Sequence, residues 1–249
     1  MRSSSTARDL WLTRLYYLIC FGGTGFISPF LNLFFVRLGF SGSRIGWIMA
    51  SCSVVALVAA PFWTSRNDKW RNPRAVLQVF LLLTALSYLW LSQQTLYWGV
   101  LGAMLLRTFV YVGVPPLSDS LALSVTRAVN KGFGTVRLWN SAGWIFAGLL
   151  SGWLVEQTDA RAALILGSVT FFLGALILFP ISLQNFSTPP GKTIRSSVIR
   201  DMLRNRPMIR LGILVIAVGI ANNGVQQFEA VYMDTLGASE SVIGIASIL

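Results

Sequence analysis

Three ionisable residues in this 249-residue chain stand where a charge is expensive: Arg107, Asp119 and Glu229 fall inside long apolar runs. A charge at the centre of a bilayer costs on the order of 2.5–3.5 kcal/mol on insertion scales, so such residues face a cavity or a partner and are functional by default. Arg137 joins them at the end of another run, where a basic residue also serves topology. The chemistry open to this set is recognition and proton transfer. A carboxylate and a forked guanidinium grip vicinal hydroxyls, a buried arginine recognises a carboxylate, and desolvation turns a carboxyl into a proton acceptor near neutral pH. Glu229 is the best candidate for a proton carrier. Nucleophilic and metal chemistry have little to work with, since the sequence holds no histidine, no Gly-X-Ser-X-Gly and no phosphate-binding glycine loop. No cofactor is expected, and an enzyme is disfavoured.

Polar residues at helical spacing extend these positions into stripes. Thr24, Ser28 and Asn32 share one face, as do Arg137, Asn140, Ser141, Trp144 and Ser151, and as do Asn222, Gln226 and Glu229. Stripes that converge near the midplane are what a solute pathway between two helical halves requires.

The elements that position these residues follow from composition and repetition. Hydrophobic residues make up 54% of the chain and charged residues 12%, where a soluble domain carries about 25% charge. Apolar runs long enough to cross a hydrocarbon core of about 30 Å lie near residues 15–36, 45–63, 75–91, 96–123, 138–155, 162–181 and 209–233, with an eighth cut short at 242–249. The segment Leu38-Gly39-Phe40-Ser41-Gly42-Ser43-Arg44-Ile45-Gly46 returns 198 residues later as Leu236-Gly237-Ala238-Ser239-Glu240-Ser241-Val242-Ile243-Gly244, identical at six of nine positions. Each copy closes one span and opens the next. Six spans fill the first unit, so the second starts in the same orientation and the two are parallel copies. The expected organisation is a six-helix half over residues 1–182, a cytoplasmic connection over 183–208, and the truncated start of a second half over 209–249. Within the connection, Ile194, Val198, Met202 and Leu203 alternate with Arg195, Arg200 and Arg204 as in an amphipathic helix on the inner leaflet; a disordered linker is the alternative.

Net charge is +11, yet its distribution reports topology rather than nucleic-acid binding. Sixteen of the twenty basic residues fall on one side of the spans, which puts the N-terminus in the cytoplasm. Gly22, Gly23, Gly25 and Pro29 are expected to thin and kink the first helix, while Gly143, Ala147, Gly148, Ser151 and Gly152 line a small-residue packing face on the fifth. Cys20 and Cys52 lie within spans and read as packing residues.

The six-span unit, its parallel repetition and the loop after the second span resemble the major facilitator superfamily. In that loop Asp68-Lys69, followed by Arg71 and Arg74, is similar to the family's Asp-basic-Gly-basic loop, with Arg71 where a glycine is usual. The resemblance implies a gating role for Asp68, Lys69, Arg71 and Arg74; a solvated loop acid is the alternative for Asp68. Gly134-Thr135-Val136-Arg137-Leu138-Trp139-Asn140-Ser141-Ala142-Gly143-Trp144 resembles the segment opening the fifth helix of the lactose permease family of proton symporters, which also has an acid eighteen residues before the arginine, here Asp119. That resemblance implies substrate-binding roles for Asp119, Arg137 and Trp144, with Arg107 and Asn140 beside them; an internal ion pair joining two helices is the alternative. Arg107 is similar to an arginine found on the fourth helix of many facilitators, and with Tyr111 on the same stripe it keeps an anionic aromatic solute open, against pairing with Glu229.

The fold class expected is an all-α integral membrane protein: a six-helix bundle of two three-helix inverted repeats, followed by the first helix and a stub of the next from a second half. The function expected is proton-coupled symport of a small polar solute such as a sugar or nucleoside by alternating access. The alternatives are an aromatic or carboxylate solute, or a truncated fragment with no transport activity of its own. The expected partners are membrane lipid, a small-molecule substrate and protons, with no nucleic acid, in a carrier that is monomeric at full length and lies in the plasma or inner membrane.

Overall fold

The computed structural model describes residues 2–67, 72–181 and 204–247, the side chains of 2–5 and 220–224 excepted, and among them helices are the only regular structure. Asp68, Lys69 and Arg71 of the basic loop, most of the 183–208 connection and the Asn222 side chain lie outside the described residues. A helix satisfies its own backbone hydrogen bonds, which hydrocarbon cannot do for it.

The first span runs as α1 (Arg2–Tyr16), a π-turn (Tyr17–Phe21), α2 (Thr24–Ile27) and α3 (Leu31–Arg37). Its breaks fall at Gly22-Gly23 and Ser28-Pro29-Phe30, where the sequence predicts the kink. Then come α4 (Gly42–Asn67) and α5 (Pro73–Ser92), the latter capped by Asn72, whose side chain accepts from the Ala75 amide. The fourth span divides at Gly113 into α6 (Tyr97–Tyr111) and α7 (Val114–Ala128), because Pro115 and Pro116 start a new helix. It continues with α8 (Gly134–Gln157), α9 (Ala160–Ile177), α10 (Arg206–Thr235) and α11 (Glu240–Ala246).

Five segments among the described residues combine spanning length with high mean hydropathy: Thr6–Arg37, Gly42–Arg66, Pro73–Ser92, Tyr97–Ala128 and Ala160–Ile177. Helices α8 and α10, at 24 and 30 residues, also have the length. Among their apolar residues α8 carries Arg137, Asn140 and Ser141, and α10 carries Gln226, Gln227 and Glu229. These are the helices whose polar residues the solute reading needs.

The repeated nonapeptide has a common structural cause. Gly39 and Gly237 both sit at positive φ, +81° and +79°, and in each copy the next residue's N–H reaches back to close the helix, Phe40 to the Phe35 carbonyl and Ala238 to the Met233 carbonyl. This termination needs a left-handed residue, which glycine alone adopts without a Cβ penalty.

Helices cross closely where side chains vanish. A Cβ at Gly22 would lie 2.5 Å from the Gly143 Cα, seating the first span on α8. A Cβ at Gly152 would lie 2.7 Å from the Glu240 carbonyl oxygen, and one at Gly244 would lie 2.6 Å from that of Gly148, seating α11 on α8. Helices α5 and α9 are joined by Gln78 donating to the Ala175 carbonyl and Ser168 donating to that of Ala85. Facing outward are large apolar residues such as Leu57, Leu86, Phe146 and Phe172, a surface for lipid rather than for water.

The ends of the bundle are polar. At one end Arg37 donates to Glu240 at 2.5 Å, with Asp234 at 3.9 Å and Asp159 at 4.0 Å, while Ser241 donates to Glu156. At the other, Arg74 donates to the Ile181 and Phe179 carbonyls at 2.8 and 3.1 Å and Arg8 to that of Pro180 at 3.1 Å, so two cations cover the carbonyls that follow α9.

The Arg37 hydrogen bond holds the Glu240 carboxyl below its ordinary value. A depressed carboxyl contributes stability that is present above its unfolded value, about 4.3, and is lost as pH falls through the lower folded value. The contact between α3 and α11 is therefore expected to hold at neutral pH, to loosen in acid, and to loosen at neutral pH in Arg37→Gln. Spin labels at exposed Ser41, just beyond α3, and exposed Val242 on α11 check this: a distance distribution unmoved by the substitution would show that the ion pair does not hold this end together.

Candidate functional site

A cavity of about 400 Å³ opens between the first span, α4, α5, α6, α8 and α10. Helix α6 brings Arg107, Thr108 and Tyr111 to it, α5 brings Tyr88, α8 brings Trp144, the first span brings Thr24, Ser28 and Asn32, and α10 brings Gln226 and Gln227. None of the described residues lining it is acidic.

Arg107 dominates its electrostatics. The guanidinium carbon lies 4.8 Å from the Tyr111 ring centroid and 5.3 Å from that of Tyr88, so a delocalised cation sits against two aromatic faces. Its Nε has no hydrogen-bond partner among the described residues, and none of their carboxylates pairs with it. Both tyrosine rings are backed by Phe171 of α9, which is fully buried: it stacks on Tyr88 at 5.8 Å and 13° and meets Tyr111 edge-on at 5.7 Å and 82°. Three helices, α5, α6 and α9, thus converge to hold one cation without neutralising it.

Trp144 is positioned by the glycines beneath it. A Cβ at Gly25 would lie 2.9 Å from the Trp144 carbonyl oxygen, so α2 passes directly against this turn of α8, and the indole N–H donates to the Ser247 carbonyl at 3.3 Å. Asn32 crosses from the first span to α10, its Nδ2 donating to both the main-chain and the side-chain oxygen of Gln227. A neighbouring cavity, also about 400 Å³, contains Glu229 and shares Ser28, Trp144 and Gln226 with the first.

The residues expected to act together separate into groups. Arg107 and Trp144 line the main cavity, and Glu229 lines its neighbour. Asp119 lies outside both linings and accepts the Tyr17 hydroxyl at 2.7 Å, beside a matching bond between Tyr16 and Ser118. The wide π-turn starts at Tyr17, so this deviation from α-helix sits where the first span is tied to α7. Arg137 is exposed and Asn140 half-buried, and neither is among the cavity residues. Arg107 and Glu229, for which an ion pair was the open alternative, line different cavities. Sequence reasoning passed over Tyr88, Phe171 and Gln227: an aromatic in the middle of an apolar span carries no signal of its own, and Gln227 sits one position off the expected stripe.

Residues 10–249 match the MFS_1 like family. The chain is 30% identical over 244 residues to the maltose permease of Geobacillus stearothermophilus, covering 93% of this chain and 59% of that protein. It is 26% identical over 238 residues to the "Probable 3-phenylpropionic acid transporter" of Escherichia coli (strain K12), covering 94% and 62%. In fold it is similar to the nucleoside transporter NupG, with a TM-score of 0.71 at 17% identity, over 98% of this chain and 62% of that one. The chain therefore spans about six-tenths of the length of these three relatives. With its helical bundle, its polar cavity and a family match over nearly its whole length, the chain belongs to the MFS_1 like family of the major facilitator superfamily.

Proposed function

We propose that this chain supplies the first six-helix half, and the opening helices of the second, of a secondary carrier that moves a small organic anion by alternating access, with the solute held at Arg107. The observation that carries the reading is a guanidinium lodged between Tyr88 and Tyr111 in a cavity with no acidic residue among its described lining. A half-buried cation with no carboxylate partner among the described residues is costly, and a carboxylate entering from solution removes that cost while gaining a bidentate, charge-assisted contact. The two tyrosines and Trp144 suit a flat apolar body attached to the acid. The relative named for 3-phenylpropionic acid is of this chemical class.

A neutral sugar is the second reading. It rests on the amides of Asn32, Gln226 and Gln227 beside the Trp144 ring, and on the relative named as a maltose permease. The grip expected from Asp119 and Arg137 has less support, because neither lines the cavity that holds Arg107 and Trp144. Glu229 is the proposed proton carrier, in a cavity that shares walls with the solute's. The carrier lies in the plasma or inner membrane with a cytoplasmic N-terminus, as a monomer at full length.

Equilibrium dialysis of the purified chain against 3-phenylpropionate, benzoate, maltose and uridine tests the reading. The carboxylates are expected to bind, and their affinity to be unaffected by Asp119→Asn. Binding of maltose or uridine with no binding of either acid would overturn it in favour of the neutral solute.

A further inference from the structure

We propose that the solute carries a hydrogen-bond donor as well as its anionic group, and that Asn32 is the residue that reads this donor; the inference rests on the anion reading above. Asn32 is 6% exposed and lines the same cavity as Arg107. Its orientation is set by chemistry. The Gln227 main-chain oxygen only accepts, so the Asn32 amide must turn its NH₂ toward Gln227 and its carbonyl oxygen away. That oxygen, Oδ1, has no donor among the described residues and is shielded from water. Buried side-chain polar atoms in folded proteins are overwhelmingly paired, and an unpaired one calls for a missing partner.

Arg107 Nε is in the same condition. One cavity of about 400 Å³ thus has an unmet donor on α6 and an unmet acceptor on the first span. A molecule that completes both has a carboxylate at one pole and a hydroxyl or amine at the other, and the volume suits a small ring or chain between them. Both side chains line the cavity while these two atoms are shielded in the empty site, so the contacts form as each side chain shifts toward the bound molecule. Because Asn32 also holds Gln227 of α10, a solute that engages Asn32 is linked to the contact between the first span and the helix that opens the second unit. A bare arylcarboxylate would satisfy Arg107 alone.

The test is equilibrium dialysis of the 249-residue chain in detergent with 3-phenylpropionate and its three ring-hydroxylated isomers. At least one isomer is expected to bind roughly five- to tenfold more tightly than the parent acid. That gain is expected to vanish in Asn32→Leu, or in Asn32→Ala if the leucine variant does not fold, and to persist in Gln227→Leu, which leaves the Asn32 oxygen in place. Equal affinities for the parent and all three isomers in the unaltered chain would overturn the inference whatever the variants do, as would a gain that survives the loss of Asn32. Binding of the parent acid with no hydroxyl gain leaves the anion reading standing while this inference falls. Absence of binding by any of the four acids overturns both.

Discussion

Arg107→Gln is expected to weaken arylcarboxylate binding by more than a hundredfold, about 3 kcal/mol, because it removes the only cation lining the cavity among the described residues and leaves an entering carboxylate desolvated and unpaired. Arg107→Lys is expected to recover part of this. Lysine keeps the charge but has neither the planar fork for two parallel hydrogen bonds nor the flat face that lies against Tyr88 and Tyr111. Affinities from equilibrium dialysis for wild type, Lys and Gln should therefore fall in that order, with the thermal midpoint of Arg107→Gln at or above that of the unaltered chain, since that substitution removes a charge held without a carboxylate partner among the described residues. Equal affinity in Arg107→Gln would mean that the cavity does not recognise its solute by charge, and the neutral-solute reading would take its place.

Phe171→Ala is expected to cost about 3 kcal/mol of stability and to degrade the site it never touches. Its ring is fully buried, stacked on Tyr88 and edge-on to Tyr111, so truncation leaves a void behind both aromatic walls of Arg107. Inside a membrane bundle the lost term is chiefly packing, because lipid tails are as apolar as the phenyl group. The expected result is a clear fall in unfolding midpoint together with weaker anion binding, and Phe171→Leu should restore most of the midpoint by refilling the volume while restoring less of the binding. An alanine variant that melts with the parent and binds as well would show that the two tyrosines hold their places without support from α9.

Much of this molecule was legible in its residues taken in order. The apolar runs, the interruptions at Gly22-Gly23 and Pro29, and the paired left-handed turns at Gly39 and Gly237 depend on a few consecutive residues each. Hydrocarbon forces any long apolar run to close its own hydrogen bonds, and glycine or proline decides where it stops, so local sequence determines where the helices lie. The arginine in the fourth span was legible for the same reason, as an energetic anomaly visible without knowing any neighbour, whereas the role of Trp144 was legible only through the resemblance of its segment to a known family.

Which polar residues meet was decided only by tertiary structure. Asp119 accepts the Tyr17 hydroxyl of the first span, and the exposed Arg137 lies within electrostatic reach of that same hydroxyl, a link that no spacing along the chain reveals. Arg107 finds Tyr88 on α5, and both tyrosines lean on Phe171 on α9, while Asn32 joins Gln227 across 195 residues of chain. A polar stripe gives a helix a preferred face but leaves open which neighbour that face meets. The rotation of each helix about its axis is settled where backbones come closest, at Gly22 against Gly143 and Gly152 against Gly244, and a shift of one residue there turns a side chain by about 100°. Sequence alone therefore determined what kind of molecule this is and where its costly charges lie; the close crossings between helices decided which of those charges share a cavity.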